Sequence, residues 1–196
     1  MKSPLKIAVL TSGHSRGSNF KAIHQYIQNK NLPYQIAFVM VTDQTAPITD
    51  YCRMNQIETI VYQPNQKMND FLIETFRMRP CDLIVLAGFM RKISQAFLDS
   101  IQCPVINIHP ALLPNYGGRG MYGSHVHQAV FQAGDKISGA SVHFVSNEYD
   151  KGEIVLQQSV DITDCKSPDD IARKVLEIEH KIYGEAIEMV LSKDIL

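Results

Sequence analysis

Two rhythms of apolar and polar positions alternate along the first half of the chain. Lys6–Thr11, Gln35–Val41, Thr59–Tyr62, Leu83–Ala87 and Val105–Ile108 are short, mostly continuous apolar runs and read as buried strands. Between them lie stretches with helical spacing: Ser18–Gln28, Pro47–Asn55, Asn69–Met78 and Ser94–Ser100. In the first of these, Phe20, Ile23, His24 and Ile27 share a face. Ser18 or Asn19 is its expected cap, and Pro47 suits the first turn of the second helix. Regular strand–helix alternation predicts βαβ units. The expected fold is therefore α/β, an open, mostly parallel twisted sheet with helices on both faces.

The rhythm changes after residue 108. Pro110–Ser124 holds two prolines and four glycines and reads as a long loop, followed by a helix over His125–Ala133. Ser138–Val145 and Glu153–Val160 alternate like strands around the turn-rich Ser146–Gly152, which predicts a hairpin. Ser167–Ser192 reads as a long amphipathic helix with Pro168 and Asp169 in its first turn. There is no repeat, low-complexity tract or linker, so the expectation is one domain over residues 1–196.

Composition narrows the class. With 196 residues, 45% of them hydrophobic, the chain can bury a substantial core and is not disordered. A formal charge of −1 argues against nucleic-acid binding by bulk electrostatics, though not against a local phosphate site. Cys52, Cys81, Cys103 and Cys165 form no CxxC pair, so they read as thiols in a reducing compartment. The longest apolar run, Leu83–Met90, is too short to span a membrane, and Ile7–Leu10 is too short for a secretory signal. The expected location is cytoplasmic, with neither membrane nor nucleic acid as partner.

Three places carry chemistry. The turn after the first strand, from Thr11 to Asn19, is rich in glycine and feeds a helix N-terminus, which makes an anion site. It is neither a P-loop nor GxGxxG. Gly13-His14-Ser15-Arg16-Gly17 does match the GxSxG nucleophile elbow, but no earlier strand is available to supply the oxyanion loop of that fold.

The second place is the strand end Asn107-Ile108-His109-Pro110. Asn107 and His109 are two apart and share a face, at the carboxyl end of a strand, where open α/β sheets bind ligands. An amide donor beside a cationic imidazole suits a reaction that builds charge on a carbonyl oxygen. A carboxylate nearby would favour the cation. Asp150, in Ser146–Gly152, is the candidate, with Glu148 and Glu153 as local rivals and a solvated turn aspartate as the plain alternative. The third place, His125 and His127 with His143 further on, fails as a metal site, because helix positions two apart do not share a face.

Asn107–Pro114 (NIHPALLP), Leu86–Met90 (LAGFM), Ser141–Phe144 (SVHF) and Glu179–Tyr183 (EHKIY) together resemble the phosphoribosylglycinamide formyltransferase family, over Lys6 to about Ser192. The resemblance implies a Rossmann-like formyltransferase fold with a C-terminal hairpin and long helix. It implies transfer of the formyl group of 10-formyltetrahydrofolate, the cosubstrate, to the amine of 5'-phosphoribosylglycinamide (GAR) in purine synthesis, without a metal. Methionyl-tRNA formyltransferase and formyltetrahydrofolate hydrolase resemble it too, but carry extra domains for which this chain leaves no room.

Carried over residue by residue, the resemblance makes Asn107, His109 and Asp150 the catalytic trio. Gly17, Ser18 and Asn19 become the substrate-phosphate turn, with Arg16 as an added contact. Met90, Arg91, Lys92 and Ile93 hold the folate, as does Asn107, and Lys67 is the candidate for a further basic contact. Ser146–Asp150 lies over the pterin, and Glu179 meets the ribose or glycinamide. The turn through His14–Arg16 and the loop Asn115–Ser124 are longer than the common pattern, and Leu176 replaces a usual polar contact. The alternatives are a formyltransferase for another sugar amine and a phosphate- or folate-binding module without activity. The expected assembly is a monomer or homodimer.

Overall fold

The run Leu5–Thr11 forms β1, whose last five residues are all buried. A computed structural model describes residues 3–12, 16–62, 64 and 66–192. The chain divides into two compact units, Met1–Ile106 and Asn107–Leu196.

In the first unit the order is β1, α1 (Ser18–Asn29), β2 (Tyr34–Val41), α2 (Ile48–Met54), β3 (Thr59–Val61), α3 (Met68–Met78), β4 (Leu83–Leu86) and α4 (Gln95–Ser100). β1 pairs parallel with both β2 and β4, and β2 pairs parallel with β3. The four residues of β4 are all buried, as their unbroken apolar run requires. Phe76 of α3 packs between Phe38 and Phe97, with ring centroids 5.5 and 5.4 Å apart. Aromatic side chains buried this way each contribute about 1.5–3 kcal/mol. Strand order reverses between β1 and β4, which makes the carboxyl ends of these two strands a topological switch point.

β5 (Val105–His109) leads into the second unit, which continues with α5 (Ser124–Ala133), β6 (Ile137–Phe144), β7 (Ile154–Asp161) and α6 (Pro168–Leu191). β6 and β7 form the expected antiparallel hairpin, with a register shift between Val142 and His143. α6 packs on both strands and on α5. Its first turn is held as the sequence suggests: the Ser167 hydroxyl accepts from the Asp170 N–H, and Asp169 and Asp170 favour the positive end of the helix. The seven strands run in the order β3-β2-β1-β4-β5-β6-β7, a mostly parallel mixed sheet with a C-terminal helix.

One local expectation is corrected. Neither Ser18 nor Asn19 caps α1. The cap position is Gly17, in the left-handed region at φ 70°, with no side-chain cap bond. The turn reaches the helix so close to α2 that a Cβ on Gly17 would lie 2.2 Å from Ile48 Cδ1. Glycine satisfies both the backbone angle and the spacing. The four cysteines are free, and Cys81 Sγ and Cys103 Sγ lie 3.8 Å apart.

Candidate active site

Strand geometry brings Asn107 and His109 to a common cluster in the second unit. His109 is buried, with 4% of its side chain exposed. Its Nδ1 lies 3.6 Å from Asp150 Oδ2, and its Nε2 lies 2.7 Å from the Tyr116 carbonyl oxygen. The other Asp150 oxygen lies 3.6 Å from His143 Nε2, and that nitrogen is 3.2 Å from Asn107 Nδ2. A continuous polar chain therefore runs Asn107, His143, Asp150, His109. Asp150 Oδ2 also accepts the Gly118 N–H at 2.8 Å. Asp150 sits at φ 55°, a left-handed conformation that aspartate tolerates better than most residues. Glu148 and Glu153, the local rivals, are exposed.

The hydrogen-bond partners fix two protonation patterns. His143 Nδ1 lies 2.9 Å from the Phe144 carbonyl, which can only accept, so Nδ1 carries the hydrogen. Burial lowers the His143 pKa, against the smaller upward pulls of that carbonyl and Asp150, and keeps the ring neutral. Nε2 is then an acceptor, and Asn107 must turn its NH2 toward it. One amide hydrogen is spent there and the other remains for a ligand. At His109 the Tyr116 carbonyl demands a hydrogen on Nε2. His127 is buried close enough for repulsion from a charged His109 to add to the burial that lowers its own pKa.

The part of the NIHPALLP segment that follows β5 is fastened from the hairpin. The Ser141 hydroxyl donates to the Ala111 carbonyl at 2.6 Å and accepts from the Leu113 N–H at 3.0 Å. Gln157 donates to the same hydroxyl at 2.7 Å and to the Leu113 carbonyl at 3.1 Å. Ser141 and His143 are two apart on β6, so one strand face both pins the loop and enters the polar chain. In the sequence His143 stands out only as a third histidine beside the His125/His127 pair. Its spacing from Ser141 was the available signal for this role.

In the first unit, the segments after β1 and β4 meet at the switch point. The Ser12 N–H donates to the Gly88 carbonyl at 3.1 Å, and the Met90 N–H donates to Ser12 Oγ at 2.8 Å. Gly17, Ser18 and Asn19 form the start of α1, and Arg16 beside them is exposed. Met90, Arg91 and Lys92 are exposed and Ile93 is buried. The Arg91 guanidinium lies 5.4 Å from the Tyr62 ring centroid, in cation–π range. Lys67 is exposed at the cap position of α3. Glu179, in the second unit, is buried on α6. Gly13, His14 and Ser15, the core of the GxSxG match and of the lengthened turn, lie outside the described residues. Among the described residues no group of three or more histidine, cysteine or acidic side chains is placed to hold a metal ion. No described helix is long and apolar enough to cross a membrane.

Residues 5–187 match the formyl transferase family. The chain belongs to that family. Among curated formyl transferases, it is 33% identical to the chloroplastic phosphoribosylglycinamide formyltransferase of Arabidopsis thaliana over 97% of this chain. It spans 66% of that plant protein, just under two thirds of its length. It is 31% identical to the phosphoribosylglycinamide formyltransferase of Bacillus subtilis, over 95% of this chain and 94% of the relative. Among solved structures, glycinamide ribonucleotide transformylase 1 from Symbiobacterium toebii superposes with a TM-score of 0.85 at 29% identity, covering 96% of this chain and 88% of that one. Formyl transferases in general take the formyl group from a folate.

Proposed function

We propose that this chain is a phosphoribosylglycinamide formyltransferase, moving the formyl group of 10-formyltetrahydrofolate to the primary amine of GAR in de novo purine synthesis. The reading rests on the polar chain of Asn107, His143, Asp150 and His109. It offers two hydrogen-bond donors and one carboxylate to a single reacting carbonyl. The family match, which runs across both units, supports reading residues 1–196 as one formyltransferase domain.

The GAR amine attacks the formyl carbon, and a C–N bond forms as the carbonyl oxygen takes up negative charge. The second amide hydrogen of Asn107 donates to that oxygen. His109 acts as imidazolium. Its Nε2 hydrogen is committed to Tyr116, so Nδ1–H, on the side of Asp150, is the donor for the oxyanion. The 3.6 Å separation from Asp150 is longer than a hydrogen bond and leaves that donor available. Asp150 balances the imidazolium charge and, through water, passes the amine proton to N10 of the folate as the old C–N bond breaks. The enzyme is never acylated. Preorganised donors of this kind supply most of the stabilisation in acyl transfer.

Arg16, Gly17, Ser18 and Asn19 take the substrate phosphate, at the positive end of the α1 dipole. Met90, Arg91, Lys92 and Ile93 take the folate, with Asn107, and Lys67 supplies a further basic contact to it. Glu179 meets the ribose hydroxyls or the glycinamide. The protein works in the cytoplasm as a monomer or homodimer, uses no metal, and has neither nucleic acid nor membrane as partner.

A spectroscopic formyl-transfer assay tests the reading. Deformylation of 10-formyltetrahydrofolate should require GAR and fail with the unphosphorylated ribosyl glycinamide. Turnover with other sugar amines but not GAR would reassign the acceptor. Binding of both ligands without transfer would mark a non-catalytic module.

A further inference from the structure

Tyr116 is held in a conformation unfavourable for its residue type. Its φ is 55°, in the left-handed region that a bulky side chain enters only when its surroundings compel it. Its carbonyl oxygen, in that conformation, lies 2.7 Å from His109 Nε2. At its other end the phenol donates to Asp135 Oδ2 at 2.7 Å. Asp135 lies in the short turn between α5 and β6, just after Gly134, the C-cap of α5. The Asp135 hydrogen bond raises the phenol pKa and so keeps it a donor. One tyrosine thus joins an exposed carboxylate just past the end of α5 to the buried imidazole.

We propose that the Tyr116–Asp135 hydrogen bond is an anchor that holds the Tyr116 carbonyl on His109, making Tyr116 and Asp135 positioning residues for formyl transfer. This rests on the functional reading above. Two contacts fasten the segment on either side of the imidazole. Tyr116 presents its carbonyl to Nε2, and two residues on, Gly118 gives its N–H to Asp150. If the phenol is released, the backbone strain at residue 116 relaxes by moving the carbonyl. His109 Nε2–H then loses its acceptor, and the ring is free to turn Nδ1 away from the reacting oxygen. Substrate binding should be little affected, because neither phenol nor carboxylate is assigned to a ligand.

The test compares Tyr116→Phe, Asp135→Ala, Asp135→Asn and the double variant Tyr116→Phe/Asp135→Ala with the intact protein. Each single loss of the bond should lower kcat about tenfold, the size of one ordinary hydrogen bond, with both KM values within about threefold. Asp135→Asn keeps an acceptor and should stay close to the intact enzyme. The double variant should be no slower than either single, since both remove the same bond. A second readout needs no turnover. A slowly exchanging ring N–H of His109, identified by its loss in His109→Asn, should appear in the proton spectrum of protein labelled with nitrogen-15 at histidine. It should weaken in Tyr116→Phe and in Asp135→Ala. Intact kcat with an unchanged ring resonance in Tyr116→Phe overturns the anchor, as do multiplicative losses in the double variant. If the intact protein transfers no formyl group, the functional reading fails instead, and the resonance alone decides the anchor.

Discussion

The carboxylate of Asp150 stands 3.6 Å from the imidazole of His109, although a long loop, α5 and β6 separate them along the chain. The antiparallel return of the hairpin makes this possible. His143 at the end of β6 pairs with Ile154 at the start of β7, and the connection between them carries Asp150 back over the end of β5. The pairing is also asymmetric. One carboxylate oxygen faces His109 and the other faces His143, and only His109 has its second nitrogen on a carbonyl of the loop.

Asn107→Ala and Asp150→Asn should each lower kcat by about 10²–10³-fold, the usual cost of one preorganised oxyanion group. Both variants should keep the circular dichroism and cooperative unfolding of the intact protein. Turnover close to normal in either would remove that residue from its role.

Arg16→Ala should raise the KM for GAR about three- to tenfold and leave kcat nearly unchanged, as for an exposed phosphate contact that binds ground and transition states alike. The difference should shrink as salt rises. An unaltered KM would make the lengthened turn a matter of structure only.

Gly17→Ala puts a methyl group against Ile48 and a side chain at φ 70°. It should destabilise the protein by about 1–3 kcal/mol in urea unfolding. Shortening the obstacle with Ile48→Ala in the same chain should relieve the clash but not the backbone strain. A pair no less stable than Ile48→Ala alone, which carries the cost of its own cavity, would show that the angle costs nothing.

Ser141→Ala leaves the Leu113 N–H, the Ala111 carbonyl and a Gln157 amide hydrogen without their buried partner. A loss of about 2–4 kcal/mol is expected, since each stranded group costs its full desolvation. The loop fixed by that hydroxyl begins just after His109, so kcat should fall as well. Denaturant titration and steady-state kinetics on one preparation separate the two effects.

The pH dependence of stability follows from the histidines. His24, His127, His143 and His180 all have pKa values lowered by burial. Below the ordinary histidine value near 6.5 the unfolded chain binds protons that these folded groups refuse. Stability should therefore fall as pH drops through that value. His24 Nδ1 shares a 2.9 Å hydrogen bond with the Tyr51 hydroxyl, so His24→Gln, which keeps a polar group there, should flatten the slope between pH 7 and 5. A slope unchanged in that variant would place the acid sensitivity elsewhere.

Much of this architecture is legible in the amino-acid order because burial on two faces leaves a plain signature. Leu83–Leu86 is apolar at every position and is buried at every position, and the long helix begins at Pro168 as its cap sequence indicates. The cap of α1 was not legible. Ser18 and Asn19 are good capping types, but the choice was made by Ile48, which is far along the chain and leaves space only for Gly17. The site divides the same way. Asn107 and His109 announce themselves by strand alternation, since period two is local. That Tyr116 offers a backbone oxygen to His109 has no signature in residue type, because every residue carries that oxygen. Its positive φ is unexpected for tyrosine, and a propensity argument would have put glycine there.

The turn that carries Asp150 ends at Gly152, where a Cβ would fall 1.7 Å from the carbonyl oxygen of Phe144. The reach of the acid is thus metered by an atom that is missing. A library randomised at residue 152 should return glycine from every active clone, because even one carbon would lever the turn outward and carry the charge away from the ring it serves.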